Sequence, residues 1–235
     1  MRGKLFWKRT FDIFVSLIGI LFLSPLLLVL IIAVKIDSPG AAIFKQERIG
    51  KNGKIFTMLK LRSMVTDAEK SGAGLFNYED DPRVTRVGRF LRKTSLDELP
   101  QLFNVFVGDM SLVGPRPPVT YELGDFATLN RTFRKRFEVK PGITGLAQIK
   151  GRNDIPWDEK VLLDNEYIER FKKHGIFTDI HILWMTIVCV FEQKDIYEVK
   201  PDGVEDDIEA ASLAEAEIIR KAHMEEEPAE EYSSK

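Results

Sequence analysis

Two adjacent carboxylates, Asp97 and Glu98, are the first candidates for chemistry that we consider in this 235-residue chain. Acidic side chains serve in proteins as nucleophiles, as acid–base groups and as ligands of divalent metal ions. The pattern also has a structural interpretation, because Ser95 followed by Glu98 is typical of a capping box at a helix start. Pro100 favours a later start, with Asp97 itself as the capping residue. The pattern alone favours capping over catalysis, and both interpretations stay open.

Several basic side chains could surround such a carboxylate pair and bind a phosphate. Arg116 differs from the others because prolines flank it, which fixes the backbone and lowers the entropic cost of presenting the guanidinium group. The motif is equally compatible with two roles. Arg116 could bind a phosphate in a bidentate manner, or it could form a structural ion pair with a carboxylate. The further candidates for phosphate and substrate binding are Lys60, Arg62, Arg92 and Arg152.

Other signatures of catalysis are missing from the sequence. It has no Gly-rich phosphate loop with Lys and Ser or Thr, no dinucleotide-binding glycine motif, no HExxH and no Gly-x-Ser-x-Gly. The single cysteine, Cys189, rules out an intramolecular disulfide and a cysteine metal cluster, and its apolar surroundings favour a buried hydrophobe. A phosphoryl-type reaction would therefore depend on carboxylates, basic side chains and Mg²⁺.

A block of apolar residues at positions 13–34 contains no charge and is long enough to span a bilayer core of about 30 Å. It is too long for a signal peptide, and no small-residue cleavage site follows it. Ser24-Pro25 interrupts the block, because proline kinks a helix and the serine hydroxyl can bond back to a carbonyl. Lys and Arg flank both ends, whereas a spanning helix carries its excess on the cytoplasmic side. The pattern favours a re-entrant helix–break–helix, and a kinked spanning helix is the alternative.

The remaining sequence predicts an α+β fold that is mostly helical. Alternation in residues 43–49 and 54–61 around a Gly-Lys-Asn-Gly turn predicts a β-hairpin close to the membrane. Helical periodicity on both sides of the carboxylate pair, and again over 157–173 and 178–191, predicts the helices. The basic amphipathic segment 129–140 either lies on the bilayer surface as an interfacial helix or covers the core.

Charge divides the chain into a basic body and an acidic tail. Residues 205–235 carry 11 acidic against 3 basic side chains, so the rest of the chain has a net charge of +6. A basic body suits an anionic partner such as a phosphate, a nucleic acid or a lipid headgroup surface. The tail is typical of a solvated segment, with an alanine-rich helix near 208–224. We predict a membrane anchor at 1–36, a catalytic domain at 37–203 and an acidic tail at 204–235.

The chain resembles the monotopic phosphoglycosyl transferases, the bacterial sugar transferases that begin glycoconjugate assembly at the membrane. The resemblance runs from residue 8 to about 197 and leaves out the acidic tail. The stretch TSLDELPQLFNV followed by GDMSLVGPRP is its most specific part. The other matching stretches are KRTFDIF (8–14), Ser24-Pro25, FKQERIGKNGKIFTMLKLRSM (44–64) and KPGITGLAQIKGRN (140–153).

The resemblance implies a ping-pong transfer of a phosphosugar from a UDP-sugar to polyprenol (undecaprenyl) phosphate. Asp97 would be the nucleophile and the Mg²⁺ ligand, and Glu98 would complete the catalytic pair. Arg116 and Arg92 would hold phosphate, with Lys60 and Arg62 as supporting cations. Ser24-Pro25 would be the break of the re-entrant helix, which leaves both ends at the cytoplasmic face of the inner membrane.

Two rival functions remain at this stage. A membrane-anchored scaffold whose basic body recruits anionic partners would explain the anchor and the charge. A membrane hydrolase would cleave the nucleotide-sugar to UMP and sugar phosphate without a lipid acceptor. The expected partners are the UDP-sugar, the polyprenol phosphate and the bilayer, with no nucleic acid; a homodimer is compatible with the sequence.

Overall fold

The computed structural model describes residues 2–68, 74–75, 81–151, 155–192 and 206–224. The described chain is mostly helical with a β-hairpin, as the sequence predicts, and it has a second, parallel pair of short strands that was not predicted. The helices are α1 (Arg2–Asp37), α2 (Arg86–Thr94), α3 (Gln101–Val107), α4 (Arg131–Lys135), α5 (Leu146–Lys150), α6 (Trp157–His174), α7 (Ile176–Glu192) and α8 (Asp207–His223). The strands are β1 (Ile43–Ile49), β2 (Ile55–Leu61), β3 (Ser111–Val113) and β4 (Gly142–Thr144).

Helix α1 is continuous through Pro25, where the sequence predicts a break. An N–H at position 25 would have bonded the carbonyl of Leu21, and proline has none to give. The hydroxyl of Ser24 donates to that carbonyl instead, over 2.9 Å, so the oxygen keeps a partner. By length and composition α1 could cross a membrane. Its exposed apolar side chains run along the whole helix and include Phe14, Leu17, Leu21, Phe22, Leu28, Val29 and Ile32.

Both halves of α1 pack on the same domain. In the first half, the Lys8 ammonium lies 2.6 Å from Asp179 Oδ2 on α7 and donates to the carbonyl of Val113 on β3. In the second half, Val34 is buried in a cluster with Leu61 at the end of β2 and Leu91 of α2. The helix is therefore attached to the rest of the molecule near both of its ends.

The predicted hairpin is confirmed, with β1 and β2 antiparallel and Ile43 opposite Leu61. Its turn uses Asn52 and Gly53 in the left-handed region (φ +57° and +78°), which these residue types adopt most readily. The Asn104 side chain on α3 accepts from the β2 main chain and donates back to it. Helix α3 is thus fixed against the hairpin, and this contact holds the segment before α3 beside β2.

The basic segment 129–140 covers the core. It forms α4 and a short 3₁₀ turn, and Phe133 and Phe137 are both buried in a cluster with Leu129 and Val161. These aromatic side chains face protein rather than lipid, so the interpretation of this segment as a bilayer-surface helix is wrong for them. Helix α5 was not predicted, because its five residues lie in a glycine-rich stretch that gives no helical periodicity.

Helix α8 confirms the predicted alanine-rich helix and corrects the view that it is solvated. Ala210, Ala211, Ile218 and Ala222 are buried, the last two in the same cluster as Phe133. The reason is that the apolar residues of α8 recur at helical intervals and form one face of the helix. The amino-acid composition of the tail, which is rich in acidic residues, does not show this face. The described part of the tail therefore packs on the domain.

Candidate active site

The carboxylate pair lies in a short 3₁₀ turn, Leu96–Glu98, between α2 and α3. Ser95 ends α2 in the left-handed conformation (φ +56°), which turns the chain sharply before the pair. The Ser95 side chain makes no capping hydrogen bond, and the residue before α3 is Pro100 rather than Asp97. The capping interpretation of this pattern is therefore wrong, and the two carboxylates need another explanation.

Glu98 is held by two cations at one oxygen. Its Oε1 accepts from Lys60 Nζ over 3.1 Å and from Arg116 Nη1 over 3.2 Å. Burial alone would raise the pKa of Glu98, but the charges of Lys60 and Arg116 and their hydrogen bonds outweigh it and lower that pKa to about 2. Glu98 is therefore ionised at neutral pH and joins the hairpin to the proline-rich loop.

Asp97 is 8% exposed and, within the described part of the chain, makes no hydrogen bond or ion pair. Burial raises the pKa of its carboxyl group to about 6. The charge of Lys60 opposes this rise in pKa, the neighbouring Glu98 adds to it, and Arg92 and Arg116 oppose it again. The result is a carboxylate with free oxygens, surrounded by positive charge.

Arg116 is presented by a loop, residues 114–118, that packs tightly on β4. The N–H of Gly114 donates to Thr144 O over 2.8 Å. A Cβ atom at Gly142 would lie 2.0 Å from the Gly114 nitrogen, so glycine is required for this close approach. The Arg116 side chain is 45% exposed, and the negative charge of Glu98 raises the pKa of its guanidinium group. It can therefore contact Glu98 and a bound anion at the same time.

The structure brings Lys60, Arg92 and Arg116 to the pair, but not Arg62. Arg92 donates from Nε to Ser63 Oγ over 2.9 Å and is close enough to lower the pKa of Asp97. Burial lowers the pKa of Lys60, and the charge of Glu98 partly offsets that change. Two of the five predicted phosphate and substrate binders are thus joined directly to Glu98.

Arg62 has a different position from the one predicted. Its guanidinium group is buried at the end of α1 and donates to the carbonyl and the hydroxyl of Ser38 and to the Pro39 carbonyl. Arg62 is the first residue beyond β2, and its N–H still donates to Ala42 O over 2.8 Å, so the residue lies beside the segment that joins α1 to β1. Arg152, the fifth predicted binder, lies outside the described residues.

Sequence reasoning missed Arg48 and Arg136 as neighbours of the proline-rich loop. Arg48 Nη1 donates to the carbonyl of Pro117 over 2.9 Å, and Arg136 Nη2 donates to the carbonyl of Arg116 over 2.7 Å. No local signal could have identified them, because both contacts join segments that are distant in the chain.

The site fits a magnesium ion only in the company of phosphate. Among the described residues, no group of three or more His, Cys, Asp or Glu side chains could hold a metal. Mg²⁺ is commonly bound by one or two carboxylates together with substrate phosphates and water. The free oxygens of Asp97 could supply that single carboxylate, as the family resemblance implies, whereas Oε1 of Glu98 is occupied by Lys60 and Arg116.

This arrangement suits chemistry on a phosphate. The cations at Lys60, Arg92 and Arg116 can bind an anion and stabilise charge that develops on phosphoryl oxygens. The unpaired carboxylate of Asp97 lies among them and can attack a phosphorus atom as a nucleophile. A scaffold would have no need of a buried carboxylate without a partner.

Comparisons with known proteins point to one family. The sequence model of the bacterial sugar transferase family matches residues 3–193. The galactosyl transferase CpsE of Streptococcus agalactiae is 45% identical over 194 residues, which cover 78% of this chain and 42% of that protein. The undecaprenyl-phosphate galactose phosphotransferase of Salmonella typhimurium is 42% identical over 210 residues, covering 83% of this chain and 43% of that protein.

The chain thus spans less than half the length of these two relatives. A relative of similar length also matches. The exopolysaccharide production protein ExoY of Sinorhizobium fredii is 37% identical over 204 residues, which cover 81% of this chain and 88% of that protein. Helix α8 lies beyond the last residue that the family model matches.

Proposed function

The chain belongs to the bacterial sugar transferase family, and from this premise we propose that it transfers a phosphosugar from a UDP-sugar to polyprenol phosphate. The products are polyprenol diphosphate sugar and UMP, and the reaction would begin the assembly of a glycoconjugate. The observation that carries the proposal is the free, nearly buried carboxylate of Asp97 beside a glutamate held by Lys60 and Arg116.

In the first half-reaction a carboxylate oxygen of Asp97 attacks the sugar-bearing phosphorus of the UDP-sugar. A carboxyl–phosphorus bond forms, and the bond from that phosphorus to the bridging oxygen breaks, which releases UMP with the electron pair. Lys60, Arg92 and Arg116 stabilise the negative charge on the phosphoryl oxygens during this step. The intermediate carries the phosphosugar on Asp97.

In the second half-reaction an oxygen of polyprenol phosphate attacks the same phosphorus. The new phosphorus–oxygen bond forms the diphosphate, and the carboxylate of Asp97 leaves with its electron pair. Since the donor's UMP has left, one set of cations binds the two substrates in turn. Glu98 keeps Lys60 and Arg116 in place throughout, because it is ionised over the whole physiological pH range.

Mg²⁺ would be held by Asp97 together with the diphosphate of the donor. It would offset the negative charge of the diphosphate and of the departing UMP. Arg116 and Lys60 would bind the phosphoryl oxygens that the ion leaves free.

We place the site at the cytoplasmic face of the membrane, with α1 re-entrant. Helix α1 has 36 residues, or about 54 Å at 1.5 Å per residue. If it crossed the bilayer, one end would be separated from the domain by the membrane. Lys8 and Val34, however, contact elements of one domain. A helix that bends at Pro25, so that it enters and leaves on the same side, is compatible with both contacts.

An exposed apolar surface supports the same placement. It consists of side chains of α1, α3 and α7, which contact the domain through their opposite faces. Such a surface suits the hydrocarbon boundary, where a polyprenol chain would lie beside the headgroups. Its members outside α1 include Phe103, Phe106 and Val107 of α3 and Phe177, Ile180, Trp184 and Ile187 of α7.

Mass spectrometry tests the nucleophile. The chain incubated with a UDP-sugar alone should gain one phosphosugar on the peptide that contains Asp97. Asp97→Asn should form no adduct and lose lipid-linked product by at least about 10³-fold. Asp109→Asn, the same change beyond the other end of α3, is the matched control and should keep activity. Lipid-linked product from Asp97→Asn at the wild-type rate would refute the assignment.

The same experiment separates the rival functions. A hydrolase would release UMP and sugar phosphate without needing polyprenol phosphate, and a scaffold would release neither. Tags placed at residue 1 and after residue 235 test the re-entrant topology: both should be protected in sealed cells and accessible after lysis. Tags on opposite faces would exclude a re-entrant α1.

A further inference from the structure

The loop that presents Arg116 is held by its carbonyl oxygens. Three of its residues are prolines, which have no N–H, so the loop must be held mainly as an acceptor of hydrogen bonds. The main chain supplies the outer two donors. Gly142 N donates to Pro115 O over 2.9 Å, and Ile49 N donates to Pro118 O over 3.0 Å.

Arginine side chains supply the inner two donors. Arg136 donates to the carbonyl of Arg116 itself, over 2.7 Å, and Arg48 donates to the carbonyl of Pro117, over 2.9 Å. Every carbonyl from 115 to 118 therefore has a partner. The bond from Arg136 acts on the residue whose guanidinium group contacts Glu98.

Arg136 is itself rigidly held. It is 3% exposed, and its Nη2 lies 2.8 Å from Asp164 Oδ2 on α6. The ring of Trp157 lies 4.9 Å from its guanidinium carbon and the ring of Phe137 lies 5.6 Å away. A planar cation between two rings and a carboxylate has few other orientations. The direction in which it donates to the loop is therefore fixed by packing.

We propose that the buried Arg136–Asp164 pair is a positioning device for Arg116, which sets where its guanidinium group meets the phosphate. Arg136 contacts the backbone of the loop rather than the Asp97–Glu98 pair, so it acts through Arg116 and not on substrate. This proposal rests on the proposed function, because it assigns the pair to the phosphate-binding part of that site. The alternative is that the pair only stabilises the domain.

A double substitution separates the two roles. Replacing one partner alone would leave a buried charge unpaired and would destabilise the domain under either view. Arg136→Met with Asp164→Leu removes both charges and keeps apolar volume, and methionine packs well against the two aromatic rings. Replacing a buried ion pair by hydrophobic residues is often neutral for stability. The variant therefore lacks the donor to the Arg116 carbonyl without leaving a buried charge unpaired.

The measurement is kcat/KM for UMP release from a UDP-sugar with polyprenol phosphate present, so that the enzyme turns over, and it is made in two backgrounds. In the otherwise wild-type chain we expect the double substitution to lower kcat/KM by about 10- to 100-fold, because small misplacements of a catalytic group have effects of this size. In an Arg116→Met chain the same double substitution should lower it by less than about 2-fold further, because the residue it positions is already gone.

Thermal unfolding establishes whether each variant is folded. Asn165→Ala is the matched control on the next residue of α6. It removes a hydrogen bond from the Asn165 side chain to the carbonyl of Thr132, away from the loop, and should keep activity. If Arg136→Met with Asp164→Leu does not fold, Arg136→Leu with Asp164→Ala, which also has no donor for the Arg116 carbonyl, serves the same test. Failure of both to fold would overturn the proposal, because the pair would then be needed for the fold itself.

Equal losses in the two backgrounds, or full activity of the folded double variant, would also overturn it. A wild-type chain that releases no UMP from any UDP-sugar would refute the proposed function, and the positioning role with it. An active wild type with an equally active variant would refute the positioning role alone.

Discussion

The carboxyl groups of Asp97 and Glu98 are adjacent in the chain, but their pKa values are displaced in opposite directions. Burial raises the pKa of Asp97 to about 6. Burial acts on Glu98 as well, yet Lys60 and Arg116 reverse its effect and lower the pKa to about 2. Carboxylates whose environments separate their pKa values in this way have different roles. Of the two, Asp97 changes its charge closer to neutral pH.

The pH dependence of UMP release should follow the ionisation of Asp97. The nucleophile must be the carboxylate, so kcat/KM should rise with pH through about 6 and level off above it. Below that pH it should fall about tenfold per pH unit, because the ionised fraction falls in the same proportion. Steady-state rates from about pH 5 to pH 8 give the profile. A profile that is flat through this range would contradict the assignment.

Lys60→Met should move that profile to higher pH. The charge of Lys60 lowers the pKa of Asp97, so its removal raises that pKa and leaves less carboxylate at neutral pH. The rate at pH 7 should fall, and part of the loss should be recovered as the pH is raised. The apparent pKa of kcat/KM measures the change.

Arg62→Met is the matched control for Lys60→Met, two positions along the chain. Arg62 donates to Ser38 and Pro39 rather than to the carboxylates, so the apparent pKa should stay where it is. Its loss should instead lower the free energy of unfolding by about 2 kcal/mol, because buried oxygens lose a charged donor. An equal shift of the apparent pKa in both variants would show that the charge of Lys60 does not set the pKa of Asp97.

Lys8→Met should destabilise the attachment of α1. Asp179 is almost fully buried and receives hydrogen bonds from Lys8 and Tyr167. Without Lys8 its charge has no ionic partner, and the free energy of unfolding should fall by about 3–5 kcal/mol in detergent. Lys35→Met, an exposed lysine on the same helix, should change it by less than about 0.5 kcal/mol. Equal unfolding midpoints for both variants would contradict this role.

The features predicted well from sequence are those that local pattern determines. The hairpin follows from the alternation of Ile43–Ile49 and the turn residues after it, which act within a few positions of each other. The carboxylate pair was a candidate from its residue types, and only the longer stretch that carries the family resemblance favoured catalysis over capping. Its cations were found only as candidates, since their pairing with Glu98 joins segments far apart in the chain.

Arg62 and Arg136 show why the remaining predictions were wrong or missing. Arg62 was grouped with Lys60 by proximity in sequence, but its guanidinium group donates to Ser38 and Pro39, which are distant in the chain. Arg136 belongs to a basic amphipathic segment, where a solvated arginine is the usual expectation, and yet it is buried against Asp164. Which charges are buried depends on tertiary packing, and the hydrophobic periodicity of a segment does not indicate it.

Helix α8 should be separable from the core that carries the site. Ala222 is fully buried against the cluster around Phe133, and its carbonyl accepts from Asn130 N over 2.9 Å. Ala222→Asp would place a charge in this apolar contact, which costs more free energy than release of the helix. We therefore expect amide exchange at Asn130 to accelerate by at least about tenfold, while exchange in β2, whose Phe56 and Met58 belong to a different cluster, stays unchanged. The second core cluster, around Tyr167 and Phe171, has no member from α8 and should persist.

Hydrogen-exchange mass spectrometry on the full chain makes this measurement, with Leu213→Asp on the exposed face of α8 as the control. The control should leave exchange at Asn130 unchanged, because a carboxylate at that position meets solvent. Faster exchange across β2 in Ala222→Asp would show that α8 is needed for the whole fold. Unchanged exchange at Asn130 would show that the contact between α8 and the segment before α4 contributes little, and that Ala222 is buried without holding the helix in place.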